Sequence, residues 1–163
     1  MPTRARNRRR ISIGFVFAAC LSASGVRAEG LEPIAGAWEL NVAQSHFTPG
    51  TEMKAQTRVY EVQGREVKQS IDSIDDQGRA VHNSSTVVYD GKDHPLDDNP
   101  DADTIAAKLT GPMTAVTMLK KDGKVVQTVT RTLSADGKTL TFRYEGSDAK
   151  GRKVDNLLVF QKR

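Results

Sequence analysis

The sequence has little of what usually marks a catalytic or metal-binding protein. It holds one cysteine, Cys20, so no disulfide framework is available, and three histidines, His46, His82 and His94, too far apart to have metal-ligand spacing. It has no Gly-x-Ser-x-Gly elbow and no phosphate-cradling glycine loop. A hydrolase built from scattered Ser, His and Asp is left as a third reading, behind binding and structural roles. Aromatics make up only 6% of the chain, with Trp38 the one tryptophan. No apolar run approaches the roughly 20 residues of a membrane-spanning helix, so no transmembrane segment is expected. No stretch carries the apolar period of a helix either.

What is present begins with an export signal. Arg4, Arg6, Arg8, Arg9 and Arg10 form a basic head, Ile11 to Ala19 a short apolar run, and Val26-Arg27-Ala28 a small-x-Ala cleavage site. Residues 1–28 therefore read as a secretory signal peptide and 29–163 as one domain, in the periplasm or secreted. Cys20, behind Phe17-Ala18-Ala19, offers lipid anchoring as the lesser alternative. Six of the 24 Lys and Arg and none of the 20 Asp and Glu lie in the signal, which leaves 18 against 20 in the mature chain. The basic balance of the whole chain thus belongs to the signal, and nucleic acid is not an expected partner. The mature chain is expected to be a monomer that needs no cofactor.

The rest alternates. Trp38, Leu40 and Val42 share one parity and Ala37, Glu39 and Asn41 the other, the period-2 pattern of a strand with one buried face. After Ala43 to Gly50, read as a turn or short helical cap, strands are predicted over 55–62, 66–74, 80–89, 103–109, 114–121, 124–133, 139–145 and 153–161. Between them stand turns such as Asp90-Gly91, Asp122-Gly123 and Asp136-Gly137. Short turns make successive strands antiparallel neighbours. The predicted fold is all-β, an up-and-down meander of about eight to ten strands closed into a barrel, since closure removes the raw edges. A two-sheet sandwich is the alternative that the same spacing allows.

Several polar residues share parity with apolar ones. Gln127 and Arg131 fall with Val125, Val129 and Leu133, Gln69 lies between Val67 and Ile71, and His82 falls with Ala80 and Val88. Leu140, Phe142 and Tyr144 form one inward face, and Val154, Leu158 and Phe160 another. If these faces line the barrel, its interior is mixed, as a ligand cavity with a few orienting groups would be. Arg131, Gln127, Gln69, Tyr144 and Phe142 are then the candidate ligand-binding residues. The competing reading has a bulge shift the register and return Arg131 to solvent, because an unpaired buried guanidinium is costly.

Gly36-x-Trp38-x-Leu40-Asn41 with Ser45-x-Phe47, Tyr89-Asp90-Gly91-Lys92-Asp93-x-Pro95, Asn99-Pro100-x-Ala102-Asp103-Thr104 and Asp136-Gly137-Lys138-Thr139-Leu140 together resemble a family of small exported bacterial proteins with lipocalin-like, calycin-type barrels. The resemblance covers residues 35–163 and brings no established activity with it. It implies that Gly36 lets the chain turn into the first strand and that Trp38 plugs the closed end of the barrel. It also implies an arginine over the tryptophan near the end of the last strand, where this chain offers Lys162 and Arg163. Phe47 is expected to fold back onto the same end, near Trp38.

The one dense polar cluster is the acidic loop around Asp97, Asn99, Asp101 and Asp103, rich in the hard oxygens that hold Ca²⁺. Read as an EF-hand from Asp97, it has Ala102 where the sharp turn needs glycine and Lys108 where the bidentate glutamate belongs. These side chains are therefore expected to cap turns, with no metal bound and a weak calcium site as the alternative.

Together these features point to an exported, non-enzymatic protein that binds a small apolar or amphipathic molecule, a carboxylate included. A ligand-free structural or interaction barrel of the cell envelope is the alternative. Export has a direct check. The mature chain should begin at Glu29, and intact-mass or N-terminal analysis that finds an acylated Cys20 instead would place the protein on a membrane face.

Overall fold

The computed structural model describes residues 30–97 and 99–163. The signal peptide and the lipid-anchor alternative at Cys20 concern residues outside that range. Ten strands follow one another: β1 (Gly36–Leu40), β2 (Met53–Gln63), β3 (Glu66–Asp75), β4 (Ala80–Val88), β5 (Asp93–Pro95), β6 (Thr104–Gly111), β7 (Thr114–Lys121), β8 (Lys124–Leu133), β9 (Thr139–Ser147) and β10 (Lys153–Lys162). All neighbours are antiparallel, in the order β4-β3-β2-β1-β10-β9-β8-β7-β6-β5, so the chain forms one sheet curled almost into a barrel. The sandwich alternative is excluded by that single sheet. No helix among the described residues is long and apolar enough to cross a membrane.

Local chemistry explains the elements. In the β7–β8 hairpin, Lys121 pairs with Lys124, and the two residues between, Asp122 at φ 50° and Gly123 at φ 73°, take the doubly left-handed path of a tight turn. β1 stops at Leu40 because the Asn41 side chain accepts the Gln44 amide at 3.2 Å and caps a short 3₁₀ turn over Val42–Gln44. β5 is the element that alternation did not reveal, three residues long and ended by a proline. It pairs only with β6, through Asp93↔Ala106 to Pro95↔Thr104, so β4 and β5 are the two edges and no ladder joins them.

One end of the barrel is packed solid. Trp38, Leu31, Leu140 and Phe160 are fully buried there, with Ile34 beside them. The indole N–H donates to the Ile34 carbonyl at 2.7 Å, which ties the 3₁₀ turn Glu32–Ile34 across the barrel end. The residue over the indole is a lysine. The Lys162 ammonium lies 5.3 Å from the ring centroid and donates to the Pro33 carbonyl at 3.1 Å, whereas Arg163 turns away to Glu39. Gly36, at φ +111°, makes the turn into β1.

Two expectations need correction. Phe47 packs against the core, but it does so one residue past His46, whose bridge partner is Leu157, whereas Trp38 pairs with Lys162. Phe47 therefore sits well along β10 from the plugged end, because the 3₁₀ turn is followed by a return to β10 instead of a fold back. Val125 is also displaced from its expected face. The β7–β8 register runs Leu119↔Gln127 and then Lys120↔Val125, so a bulge at Val126 turns Val125 outward at 51% exposure. The bulge lies on the far side of Gln127 from Arg131, which stays inside at 4% exposure. It also demands a glycine opposite, since a Cβ on Gly146 would overlap the Val126 carbonyl oxygen.

The plug yields a stability prediction. Trp38→Ala should cost about 3–5 kcal/mol in denaturant unfolding, the range for a large buried aromatic. Wild-type emission should be blue-shifted and resist iodide. A mild variant with a readily quenched wild-type tryptophan would show that the indole is not the plug.

Candidate ligand-binding site

Between the plugged end and the loops at the other end the interior is hollow, with a cavity of about 690 Å³. That volume is within the usual range for small-molecule sites. β2, β3 and β4 form one side of its wall and β7, β8 and β9 the other. Inward residues alternate with outward ones along each strand, so a polar residue in apolar register is carried inside by the pleat. Arg58 on β2 and Arg131 on β8 arrive this way, at 5% and 4% exposure.

The two guanidiniums have different surroundings. Arg58 is held on every side. Its Cζ lies 4.5 Å from the Phe142 ring centroid and 4.7 Å from that of Phe160, so the cation rests against two rings that meet edge to face. Its Nε donates to Gln56 Oε1 at 2.8 Å, one Nη to the Tyr144 hydroxyl at 3.0 Å and the other to the Tyr60 hydroxyl at 3.4 Å. Gln56 in turn donates to Ser73 Oγ at 2.8 Å, which anchors the chain of bonds in β3. Arg131 has one weak bond, from Nη to the Tyr89 hydroxyl at 3.3 Å, and its Cζ lies 5.2 Å from that ring. Its Nε is buried with no hydrogen-bond partner.

Among the described residues no carboxylate forms an ion pair with either guanidinium; Asp and Glu pair elsewhere, largely at the surface. The phenols do not neutralise the arginines. Burial pushes the Tyr60 hydroxyl above its ordinary pKa, with Arg58 pulling the other way, and burial likewise raises Tyr89 against the pull of Arg131. Burial opposes the charge on Arg58, but Tyr144 and Tyr60 outweigh it and hold that guanidinium firmly protonated. The cavity wall therefore carries two buried positive charges beside neutral hydroxyls, with the exposed Asp97 carboxylate at its border and in an ion pair with neither arginine.

Of the residues expected from sequence, Arg131, Phe142, Tyr144 and Gln69 line this cavity, and Gln69 donates to Ser85 Oγ at 2.8 Å. Gln127 does not line it. It borders a separate recess of about 380 Å³ at the loop end, with Pro100, Asp101 and Arg152, and Tyr144 lines both spaces. Gln127 keeps the register of Val129 and Arg131 but lies farther along β8, beyond the main chamber. Arg58, Tyr60 and Tyr89 were missed. The signal for the first two was there, since Gln56, Arg58, Tyr60 and Val62 share a parity on β2 as Arg131 does with its neighbours on β8.

The acidic loop is not a ligand cage. The Asn99 side chain accepts the Asp101 and Ala102 amides, Asp101 accepts the Ala149 amide at 2.6 Å, Asp103 accepts the Asp122 amide at 2.9 Å, and Asp97 borders the main cavity instead. No cluster of three or more metal-ligating side chains occurs among the described residues. The oxygens of Asn99, Asp101 and Asp103 are thus engaged by separate backbone amides, the turn-capping role that the sequence led us to expect.

The chain matches no family profile and no curated protein sequence. Solved structures do resemble it. The zebrafish ileal bile acid-binding protein complexed with cholic acid aligns with a TM-score of 0.52 at 12% identity, over 80% of this chain and 99% of that one. As-p18, an extracellular fatty acid binding protein, aligns with a TM-score of 0.53 at 11% identity, over 80% of this chain and 96% of that one. At such identities the likeness is one of fold alone, a nearly closed antiparallel β-barrel.

The raised phenols set an alkaline limit. A hydroxyl whose folded pKa lies above its unfolded value of 10.0 favours the fold below that pH, and the advantage is lost as pH rises through the folded value. These two hydroxyls should therefore add no pH dependence up to about pH 10 and lower stability above it, with the phenolate absorbance of Tyr60 and Tyr89 appearing together with unfolding. Phenolate absorbance from every tyrosine near pH 10 in a folded chain would show that Tyr60 and Tyr89 are not sealed in.

Proposed function

We propose that this chain is an exported, non-enzymatic binding protein for a small amphipathic anion, a carboxylate with an apolar body, carried inside the barrel. The observation that carries the reading is the Arg131 guanidinium, buried in a cavity with no carboxylate beside it and with its Nε unsatisfied. An isolated buried cation is costly, and a ligand carboxylate would offset that cost through paired donors in a fork that matches its two oxygens. Phe142 and Tyr144 provide surface for the carbon body, and Gln69 an amide near its polar side. The names of the two structural neighbours, a bile acid-binding protein and a fatty acid binding protein, are in line with this chemistry. Secretion or periplasmic residence follows from the signal-like N-terminus and is part of the proposal. A packed structural barrel is disfavoured by the hollow interior.

The test is calorimetry with a long-chain carboxylic acid and the matched alcohol. The acid should bind with micromolar affinity, about −8 kcal/mol, given one strong charged contact and a modest apolar lining. Arg131→Gln should weaken the acid by about 1.5–3 kcal/mol while sparing the alcohol. Equal loss for both ligands removes Arg131 from the site, and no binding by the wild type leaves the structural barrel as the reading.

A further inference from the structure

β4 borders the main cavity differently from the other strands. β2, β3, β7, β8 and β9 each contribute two residues two positions apart, as Arg58 and Tyr60 illustrate for β2. That is what the inner face of a pleated wall must do. β4 contributes six in a row, from His82 to Val87. The register Ile71↔Asn83, Gln69↔Ser85 and Val67↔Val87 puts Asn83, Ser85 and Val87 on the inner face, which corrects the sequence expectation that His82 shares it. His82, Ser84 and Thr86 therefore face outward, yet they border the same space. Both faces of one strand can border one cavity only if that cavity passes around the strand's edge.

β4 is an edge, bonded to β3 alone, and across the seam from it Leu96 and Ile105 border the same cavity. On the β4 side the lip is polar, from His82 to Thr86, with no Lys, Arg, Asp or Glu in Ala80–Val88, while the facing side adds the Asp97 carboxylate to Leu96 and Ile105. The loop end is bridged by contrast. There the Asp101 carboxylate, between β5 and β6, accepts the Ala149 amide, between β9 and β10, at 2.6 Å, a bond that spans the opening from one side of the barrel to the other.

We infer that the seam between β4 and the β5–β6 hairpin is the route by which the ligand reaches the cavity, with Ser84 at its lip. This rests on the binding role proposed above and adds a lateral route to it. A residue at a doorway changes how fast a ligand passes in both directions without changing the bound state, so association and dissociation slow together and Kd stays put. A residue in the binding site changes Kd.

Stopped-flow fluorescence with an anthroyloxy-labelled long-chain fatty acid separates these cases. Ser84→Trp and Ser84→Gln, one apolar and one uncharged polar obstruction on an outward edge position, should each slow association and dissociation by about tenfold while Kd moves less than about twofold. Lys150→Trp, at the loop end, should leave both rates unchanged. Slowing by Lys150→Trp alone, or equally by all three variants, overturns the seam as the route. Unchanged rates in both Ser84 variants overturn it as well. A wild-type protein that fails to bind the probe overturns the binding role itself, a result distinct from binding with indifferent rates.

Discussion

The barrel depends on a strand of five residues bonded on both sides. Among the described strands β1 is the sole ladder link between the β2–β3–β4 half and the half running from β10 to β5, and Trp38 pairs with Arg58 on one side and Lys162 on the other. The second pairing brings together residues far apart in sequence, and the loop-closure entropy must be offset where they meet. Burial of the indole at that point, with its N–H satisfied by Ile34, supplies the offset. Lys162 then lays its stem and charge over the outer side of the ring, where an exposed ammonium keeps its water. Aromatic surface, scarce in this chain, is placed where closure is most costly.

With one end packed, the rest of the interior can be left partly empty without loss of shape. A hollow wall needs rigidity from something other than a filled core, and the Arg58 cluster provides it. Its two rings and its bonds to Gln56, Tyr60 and Tyr144 join β2 to β9 and β10 across the interior, so β2, which reaches those strands in the sheet only through β1, is also held to them from within. Arg131, on the opposite wall, has no such frame. Two residues of one type, both buried and both without a carboxylate, thus stand in opposite states of satisfaction. That contrast separates a structural cation from one with donors to spare.

Much of this was legible in the sequence, and the failures have physical causes. Nine strands were visible because alternation and glycine turns are local. β5 was not, since three residues beside prolines carry no period. Arg131 could be assigned to an inner face from parity alone, but Val125 could not, because a bulge leaves no local mark except its glycine, Gly146 on the neighbouring strand, and Gln127 shares the parity yet lies too far along the strand to reach the chamber. Phe47 was misplaced because a turn can be read from residue types while the direction in which the chain leaves it cannot. Arg58 obeyed the same parity rule as Arg131, so it was missed for want of applying that rule to β2. The partners that make Arg58 rigid come from three other strands and are visible only in three dimensions.

An incompletely closed sheet carries two edges, and the molecule treats them unequally. β5 is three residues long and ends in Pro95, which has no N–H to offer, while the Lys120 ammonium pairs with Asp93 beside it. Such an edge is too short and too obstructed to template another strand. β4 is nine residues long and has none of these devices except polarity, with His82 and Asp72 bonded to one another on its outer face. A long, uncharged edge is ordinarily a liability that selection removes, and a ladder to a longer β5 would remove it here. Such a ladder would also close the space that now runs around His82, Ser84 and Thr86 into the cavity. The short β5 and the open β4 edge are therefore two sides of one arrangement, in which the hydrogen bonds that would complete the barrel are absent where the interior meets solvent.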